Sequence, residues 1–291
     1  MTTSKTPKVS IGLPVYNGGD YLAQTIESLL AQTWTDYELF ISDNGSTDST
    51  PDIIRRYADA DKRIRTCRSD ENLGAWRNLN KVFEEGRGEY FVFVSHDDLY
   101  EPEFLETAME TLAQDQDALG CYARTEVIDA GGEQVKIIEN DERFASESPS
   151  DRVAAAVFFA PAIIAFGIYR RAVLERTSLF EPYAGSDRTF AIELALAGRL
   201  LGLDGALFKY RRHDAQSYGS KYPTRRARIA WWDPSKANTR TYPTWRLVAE
   251  FSSRVRNAKI PIAERIKCFF SIGHWALRRR RDLFRELIER Q

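Results

Sequence analysis

Apolar positions from Val9 to Arg124 switch between strand and helix spacing in a regular order. Val9-Ser10-Ile11-Gly12-Leu13 reads as a strand, and Tyr21 to Gln32 then sets Leu22, Ile26, Leu29 and Leu30 on one helical face. Further strands are predicted over Tyr37 to Ile41, Arg63 to Cys67, Tyr90 to Val94 and Leu119 to Arg124. Helices fall between them over Asp52 to Ala58, Ala75 to Glu85 and Pro102 to Gln114. Ser49 or Thr50 caps the first of these, with Pro51 in its first turn, and Gly86 ends the second. Tyr90 to Val94 is apolar throughout, as a strand covered on both faces should be. This β-α-β-α rhythm predicts an α/β fold with a mostly parallel sheet flanked by helices.

Past Arg124 the rhythm loosens. Asp129-Ala130-Gly131-Gly132 predicts a hairpin tip, and Glu139 to Ser150 is polar enough to predict a mobile loop. Val153 to Tyr169 carries no charge but is interrupted by Pro161 and falls short of the roughly 20 apolar residues of a membrane span. It reads as buried core. Asp187 to Leu196 has helical spacing, and Ala206 to Tyr210 reads as a last strand. From about Tyr222 the composition shifts to Trp, Arg and helical spacing, which sets a boundary between residues 1–221 and a helical extension over 222–291.

Charge sharpens that boundary. The whole chain has 41 Lys and Arg against 42 Asp and Glu, net −1. Met1 to Asp204 holds 20 basic and 35 acidic residues, net −15, whereas Gly205 to Gln291 holds 21 basic and 7 acidic, net +14. Such a split predicts a basic segment that meets an anionic partner. Nucleic acid is the weaker choice, because the basic residues follow no nucleic-acid motif and the acidic body repels phosphate backbones. Ile262, Ile266, Phe269, Phe270, Trp275, Leu277, Phe284, Leu287 and Ile288 recur at mostly three- and four-residue spacing around Arg278-Arg279-Arg280-Arg281. That pattern suits an anionic membrane surface, the chain's own acidic body or a homodimer contact. Three widely spaced cysteines, Cys67, Cys121 and Cys268, argue against a disulfide framework or zinc-thiolate site and for a reducing cytoplasm. The polar segment Met1 to Lys8 has no signal-peptide pattern, so a soluble or peripheral protein at the inner face of the cell membrane is expected.

In open parallel sheets ligands bind outside the carboxyl ends of the strands. There this chain puts Pro14-Val15-Tyr16-Asn17, Ser42-Asp43-Asn44-Gly45-Ser46-Thr47-Asp48 and Ser95-His96-Asp97-Asp98. Neither GxGxxG nor GxxxxGK[ST] occurs, so no dinucleotide fingerprint or P-loop is present. Adjacent carboxylates in a crevice repel unless a cation or hydrogen bonds offset them, and Mg²⁺ typically takes one or two carboxylates plus substrate phosphates. Asp97 or Asp98 could equally cap the following helix or close an Asx turn, and Asp187 could cap its own helix.

These clusters, taken in order with Asn72-Leu73-Gly74, Asn78, Gly88-Glu89-Tyr90 and Pro102, resemble glycosyltransferases of family 2. The likeness covers about residues 8 to 215. It implies the nucleotide-sugar-binding GT-A fold and inverting transfer of a sugar from a nucleoside-diphosphate donor, most simply a UDP-sugar, to a saccharide or lipid-linked acceptor, in polysaccharide or glycoconjugate synthesis. It implies that Pro14, Tyr16 and Asn17 line the nucleotide pocket and that Asp43 accepts a hydrogen bond from the base. Asn44, Asn72, Gly74, Asn78 and Asp98 would complete the nucleotide-sugar pocket. Asp97 matches the last carboxylate of the family's DxD motif and would bind Mg²⁺ or Mn²⁺, although Ser95 stands where the first Asp is usual. Gly185-Ser186-Asp187 matches the catalytic-base motif, which makes Asp187 the general base. Arg211-Arg212-His213 matches an R-x-H segment, with His213 toward the metal or diphosphate and Arg212 toward phosphate. The alternatives are a non-catalytic nucleotide-sugar binder that kept the fold and a nucleotidyltransferase, which also uses paired carboxylates.

Overall fold

The computed structural model describes residues 6–159, 161–214, 222–239 and 241–288. Its strands are β1 (Val9–Val15), β2 (Tyr37–Asp43), β3 (Ile64–Arg68), β4 (Tyr90–Phe93), β5 (Leu99–Tyr100), β6 (Gly120–Ile128), β7 (Gln134–Ile138), β8 (Ile168–Arg170) and β9 (Leu200–Arg211). The first helices are α1 (Leu22–Leu30), α2 (Thr50–Ala60), α3 (Ala75–Glu85) and α4 (Phe104–Gln114). They are followed by α5 (Pro149–Phe158), α6 (Pro161–Ala165), α7 (Arg171–Leu174) and α8 (Ser186–Ala197). Past residue 222 come α9 (Arg225–Trp232), α10 (Pro243–Asn257), α11 (Ile262–Arg278) and α12 (Arg280–Ile288).

One sheet runs in the order β3-β2-β1-β4-β8-β6-β9-β5, with β7 paired to β6. The expected parallel arrangement holds across β3-β2-β1-β4. Beyond β4 the sheet is mixed: β8 runs antiparallel to both β4 and β6, β6 pairs parallel with β9, and the hairpin at 129–132 joins β6 to β7. The period-2 alternation of strands divides the core. Tyr90 and Val92 of β4, with Val94 just beyond it, pack with β1 and α1 on one face, whereas Phe91 and Phe93 pack with α3 and α8 on the other. Gly12 faces that second side because a Cβ there would lie 2.5 Å from the Phe91 ring and 2.8 Å from Val82.

The segment 139–150, expected as a mobile loop, is ordered. It contains a short 3₁₀ turn over Glu142–Ala145. Phe144 is fully buried against Tyr122 and Phe159, and Tyr122 Oη accepts a hydrogen bond from Asp141 N at 3.0 Å. One buried aromatic ring outweighs the polar composition around it, since full burial of such a side chain stabilises by about 1.5–3 kcal/mol.

Residues past 222 are not a separate layer. Leu247, Phe251 and Val255 of α10 and Cys268, Ile272 and Trp275 of α11 are buried in the same apolar cluster as Phe93 and Phe190. Arg254 of α10 reaches back to Glu181 at 2.7 Å and Glu193 at 2.6 Å. Of the apolar stripe read from the sequence, only Trp275 is buried. Ile262, Ile266, Phe270, Leu277, Phe284, Leu287 and Ile288 are each at least half exposed, and Phe269 is 38% exposed.

Candidate active site at the sheet rim

The carboxyl ends of β1 and β2 form the first part of the rim. Asn17 takes a left-handed backbone (φ 51°), its N–H donates to Ser46 Oγ and its Oδ1 accepts from Thr47 N, both at 2.9 Å. Pro14 lies beside Ser42 in the β1–β2 register. Asp43 is 2% exposed, and its Oδ1 accepts from Ser46 N at 2.9 Å. Its Oδ2 has no hydrogen-bond donor; Arg68 Nε stands 3.5 Å away, close enough for charge attraction but outside hydrogen-bond geometry.

Asn44 braces the next turn. Its Oδ1 accepts from Leu73 N at 3.0 Å, and its Nδ2 donates to Asn72 Oδ1 at 2.9 Å. Asn72 Oδ1 also accepts from Gly74 N at 2.9 Å. Gly74 must be glycine twice over: its φ is +93°, and a Cβ would sit 2.6 Å from Trp232 O. Asn78 donates to Ser42 O at 3.0 Å and leaves its buried Oδ1 without a hydrogen-bond partner.

The second part of the rim lies at the ends of β4 and β9. Asp97 and Asp98 do not cap α4, whose N-cap is Glu103. Asp98 turns into the protein, where its Oδ1 accepts from Arg211 N at 2.8 Å. Burial, reinforced by the charge of Asp97, pushes its carboxyl well above the usual range. Arg211 is itself buried, donates to Asp97 O at 2.9 Å and to Gln24 Oε1 at 2.9 Å, and lies over the Tyr21 ring. Asp97 faces the other way. Its Oδ2 lies 2.8 Å from His213 Nε2, and Ser95 Oγ donates to its Oδ1. Burial alone would raise this carboxyl, but the charge of His96 and the hydrogen bonds from His213 and Ser95 outweigh it and hold it at about 2. The His213 ring rests on Tyr21 with centroids 4.6 Å apart. Arg212 is exposed, and its N–H donates to Ile128 O at 2.8 Å.

Asp187 sits in the first turn of α8, after Gly185, which holds the N-cap position in a left-handed conformation (φ 93°). The side chain is half-buried, and burial raises its carboxyl above the ordinary 3.8 despite the nearby Arg188 charge. A cavity of about 220 Å³ brings together Tyr16, Asn17, Asp97, His213 and Asp187. Pro14, Asp43, Asn44, Asn72, Gly74, Asn78, Asp98 and Arg212 lie outside its lining. His96 also lines it, as do Arg228, Trp231 and Trp232 of α9. The Arg-x-x-Trp-Trp run was visible in the sequence, but nothing local said that it would fold over the β4 end. Among the described residues no group of three or more His, Cys, Asp or Glu side chains is arranged to hold a metal ion.

A rim of this kind, on a sheet with this strand order, defines a GT-A glycosyltransferase fold. TarS of Staphylococcus aureus, residues 1–349 solved with UDP-GlcNAc, superposes with a TM-score of 0.72 at 17% identity, covering 96% of this chain and 79% of that one. The mannosyltransferase PcManGT of Pyrobaculum calidifontis, solved with GDP-Man and Mn²⁺, superposes at 0.62 with 19% identity, over 98% and 74% of the two chains. At these identities the likeness shows the fold. The particular family comes from the sequence: the model of glycosyl transferase family 2 matches residues 10–177, and the chain belongs to that family. EpsH of Bacillus subtilis, named as a glycosyltransferase, is 30% identical over 220 residues, 72% of this chain and 62% of EpsH. TuaG of the same organism, named for teichuronic acid biosynthesis, is 37% identical over 112 residues, 38% of this chain and 44% of TuaG. The match therefore spans less than two thirds of these relatives.

Proposed function

We propose that this chain is an inverting, metal-assisted transferase that moves a sugar from a nucleoside-diphosphate donor, a UDP-sugar in the simplest case, to a hydroxyl of a saccharide or lipid-linked acceptor in polysaccharide synthesis. The observation that carries this reading is one cavity lined by both the Asp97–His213 pair and Asp187. The UDP-GlcNAc and GDP-Man held by the two solved relatives support the donor class.

Asp187 is the base in this scheme. It takes the acceptor hydroxyl proton as the oxygen attacks the anomeric carbon, and the nucleoside diphosphate leaves on the opposite face with the bonding pair. A carboxyl raised by partial burial holds that proton better than an exposed one, and a positioned base contributes typically about 10²–10⁴-fold. Asp43 Oδ2, buried without a hydrogen-bond donor, suits an N–H of the donor base. Asp97 and His213 would hold Mg²⁺ or Mn²⁺ through a carboxylate oxygen and a ring nitrogen. When bound, the cation supplies positive charge against the departing diphosphate. Conversion of Asp187 to Asn tests the scheme: retention of most transferase activity rules it out.

Membrane contact forms part of the proposal. Among the described residues no helix is long and apolar enough to cross a bilayer. The outward face of α11 and α12 instead combines Ile262, Ile266, Phe270, Leu277 and Phe284 with Arg278, Arg280 and Arg281. The described acids there are engaged: Glu264 accepts from Ser148 Oγ and Ser150 N, Asp282 pairs with Arg279, and Glu286 accepts from Thr244 N. Such a face suits the interface of an anionic bilayer. Co-sedimentation with phosphatidylglycerol vesicles at low salt, lost on Phe270→Asp with Leu277→Asp, is the expected result. No sedimentation, or dimerisation through this face instead, overturns it.

A further inference from the structure

A larger cavity, of about 660 Å³, adjoins the first, and Ala184 lines both. Its walls come from the 182–184 segment ahead of α8, from α9 and the turn after it, and from the start of α10. Tyr183, Tyr242 and Trp245 line it, with the cations Lys236 and Arg246. Two of these groups are fixed. Trp245 Nε1 donates to Leu283 O at 3.0 Å while the ring stays 44% exposed, and the Arg246 guanidinium lies 4.1 Å from the Tyr183 ring centre.

Two cations, Lys236 and Arg246, and one carboxylate, Asp233, line it, and Arg246 also pairs with Glu250 at 3.6 Å. Asp233 is buried, and its Oδ1 accepts from Ser235 N at 3.0 Å and Ser235 Oγ at 2.7 Å. Lys236 Nζ makes no side-chain hydrogen bond or ion pair among the described residues. The volume is that of a small-ligand site, and the make-up is the usual one, apolar walls with a few polar groups that set orientation.

Resting on the transferase reading above, we propose that this cavity binds the acceptor and that the acceptor is an acid-substituted oligosaccharide. Flat aromatic surfaces meet the apolar faces of pyranose rings, and Lys236 and Arg246 meet a carboxylate or phosphate substituent. Asp187 stands three residues after the shared Ala184, with Gly185 turning the chain between them. An acceptor seated here presents its terminal hydroxyl across Ala184 to Asp187. The oxygen then bonds to the donor's anomeric carbon, its proton passes to Asp187, and the nucleoside diphosphate departs with the electron pair of the broken bond.

Calorimetric titration of the full chain tests this, with tetragalacturonate as acidic probe, maltotetraose as neutral probe, and UDP with Mn²⁺ as donor-side control. Tetragalacturonate is expected to bind, and to bind about tenfold more weakly to Lys236→Glu and to Trp245→Ala, while UDP affinity stays within about twofold. Lys236 is exposed, so its substitution leaves the fold intact. Absence of oligosaccharide binding, or binding that both variants leave unchanged, overturns the assignment. Equal affinity for maltotetraose overturns the acidic substituent. Failure of UDP to bind the unaltered chain instead overturns the transferase reading on which the proposal rests.

Discussion

The two parts of the rim use the same residue types for opposite ends. At the β1–β2 ends, Asn17, Asn44, Asn72 and one oxygen of Asp43 are hydrogen-bonded to neighbouring turns of the same rim. At the β4–β9 ends and at α8, Asp97, His213 and Asp187 face a cavity, and their ionisation is displaced where it is resolved: Asp97 down to about 2, Asp187 upward. Polar clusters in the first region are tied mainly to one another; those in the second line the cavity wall. Asp43 Oδ2 stands apart in the first region, buried without a hydrogen-bond donor.

The largest expected effect breaks this contrast if it fails. Asp187→Asn should lower kcat by about 10²–10⁴-fold in a sugar-transfer assay with the donor bound normally. Its stability should not fall. Because the folded carboxyl titrates above 3.8, its ionised form costs stability at every pH above that value, and an amide removes the cost. Thermal unfolding at neutral pH should therefore give an equal or slightly higher Tm.

Asp97→Ala should weaken Mn²⁺-dependent UDP binding by more than about tenfold, read by titration with and without chelator. A variant whose UDP affinity still responds fully to Mn²⁺ places the cation elsewhere. Asn44→Ala should behave in the opposite way to Asp187→Asn. It removes a buried amide that serves Leu73 N and Asn72 and should cost about 1–3 kcal/mol in denaturant unfolding. The smallest effect is a matter of pH. The acidic limb of kcat/KM should lie above 3.8, because activity is lost as Asp187 is protonated; Asp97, at about 2, stays ionised across that range and adds no limb.

Much of this was legible in the chain. Short β-rich apolar runs found β1, β2 and β4, and helical spacing found the helices between them, because a strand covered on both faces and a one-sided helix leave distinct patterns. The motifs put Tyr16, Asn17, Asp97, Asp187 and His213 forward, and one cavity contains all five. Short elements were not legible: β5 and β8 have two and three residues, too few to show a period. The stripe on α11 and α12 was legible as a pattern but not as a surface. Cys268, Ile272 and Trp275 turn inward against the sheet's core, while the bulkier residues named from the sequence turn outward.

The sequence by itself determined the α/β class, the carboxyl-end placement of the polar clusters, the family likeness and the charge split between the two parts of the chain. These follow from local spacing and composition, which need no knowledge of neighbours. Only the tertiary structure decided that Asp97 faces a cavity while adjacent Asp98 is locked to Arg211, that α9 lines that cavity, and that helices of the basic segment pack into the sheet's apolar core. Such outcomes depend on which side chains meet across 100 residues or more, as Asp97 and His213 do at a separation of 116. There desolvation and hydrogen bonding between distant groups, not the pattern along the chain, set orientation and charge.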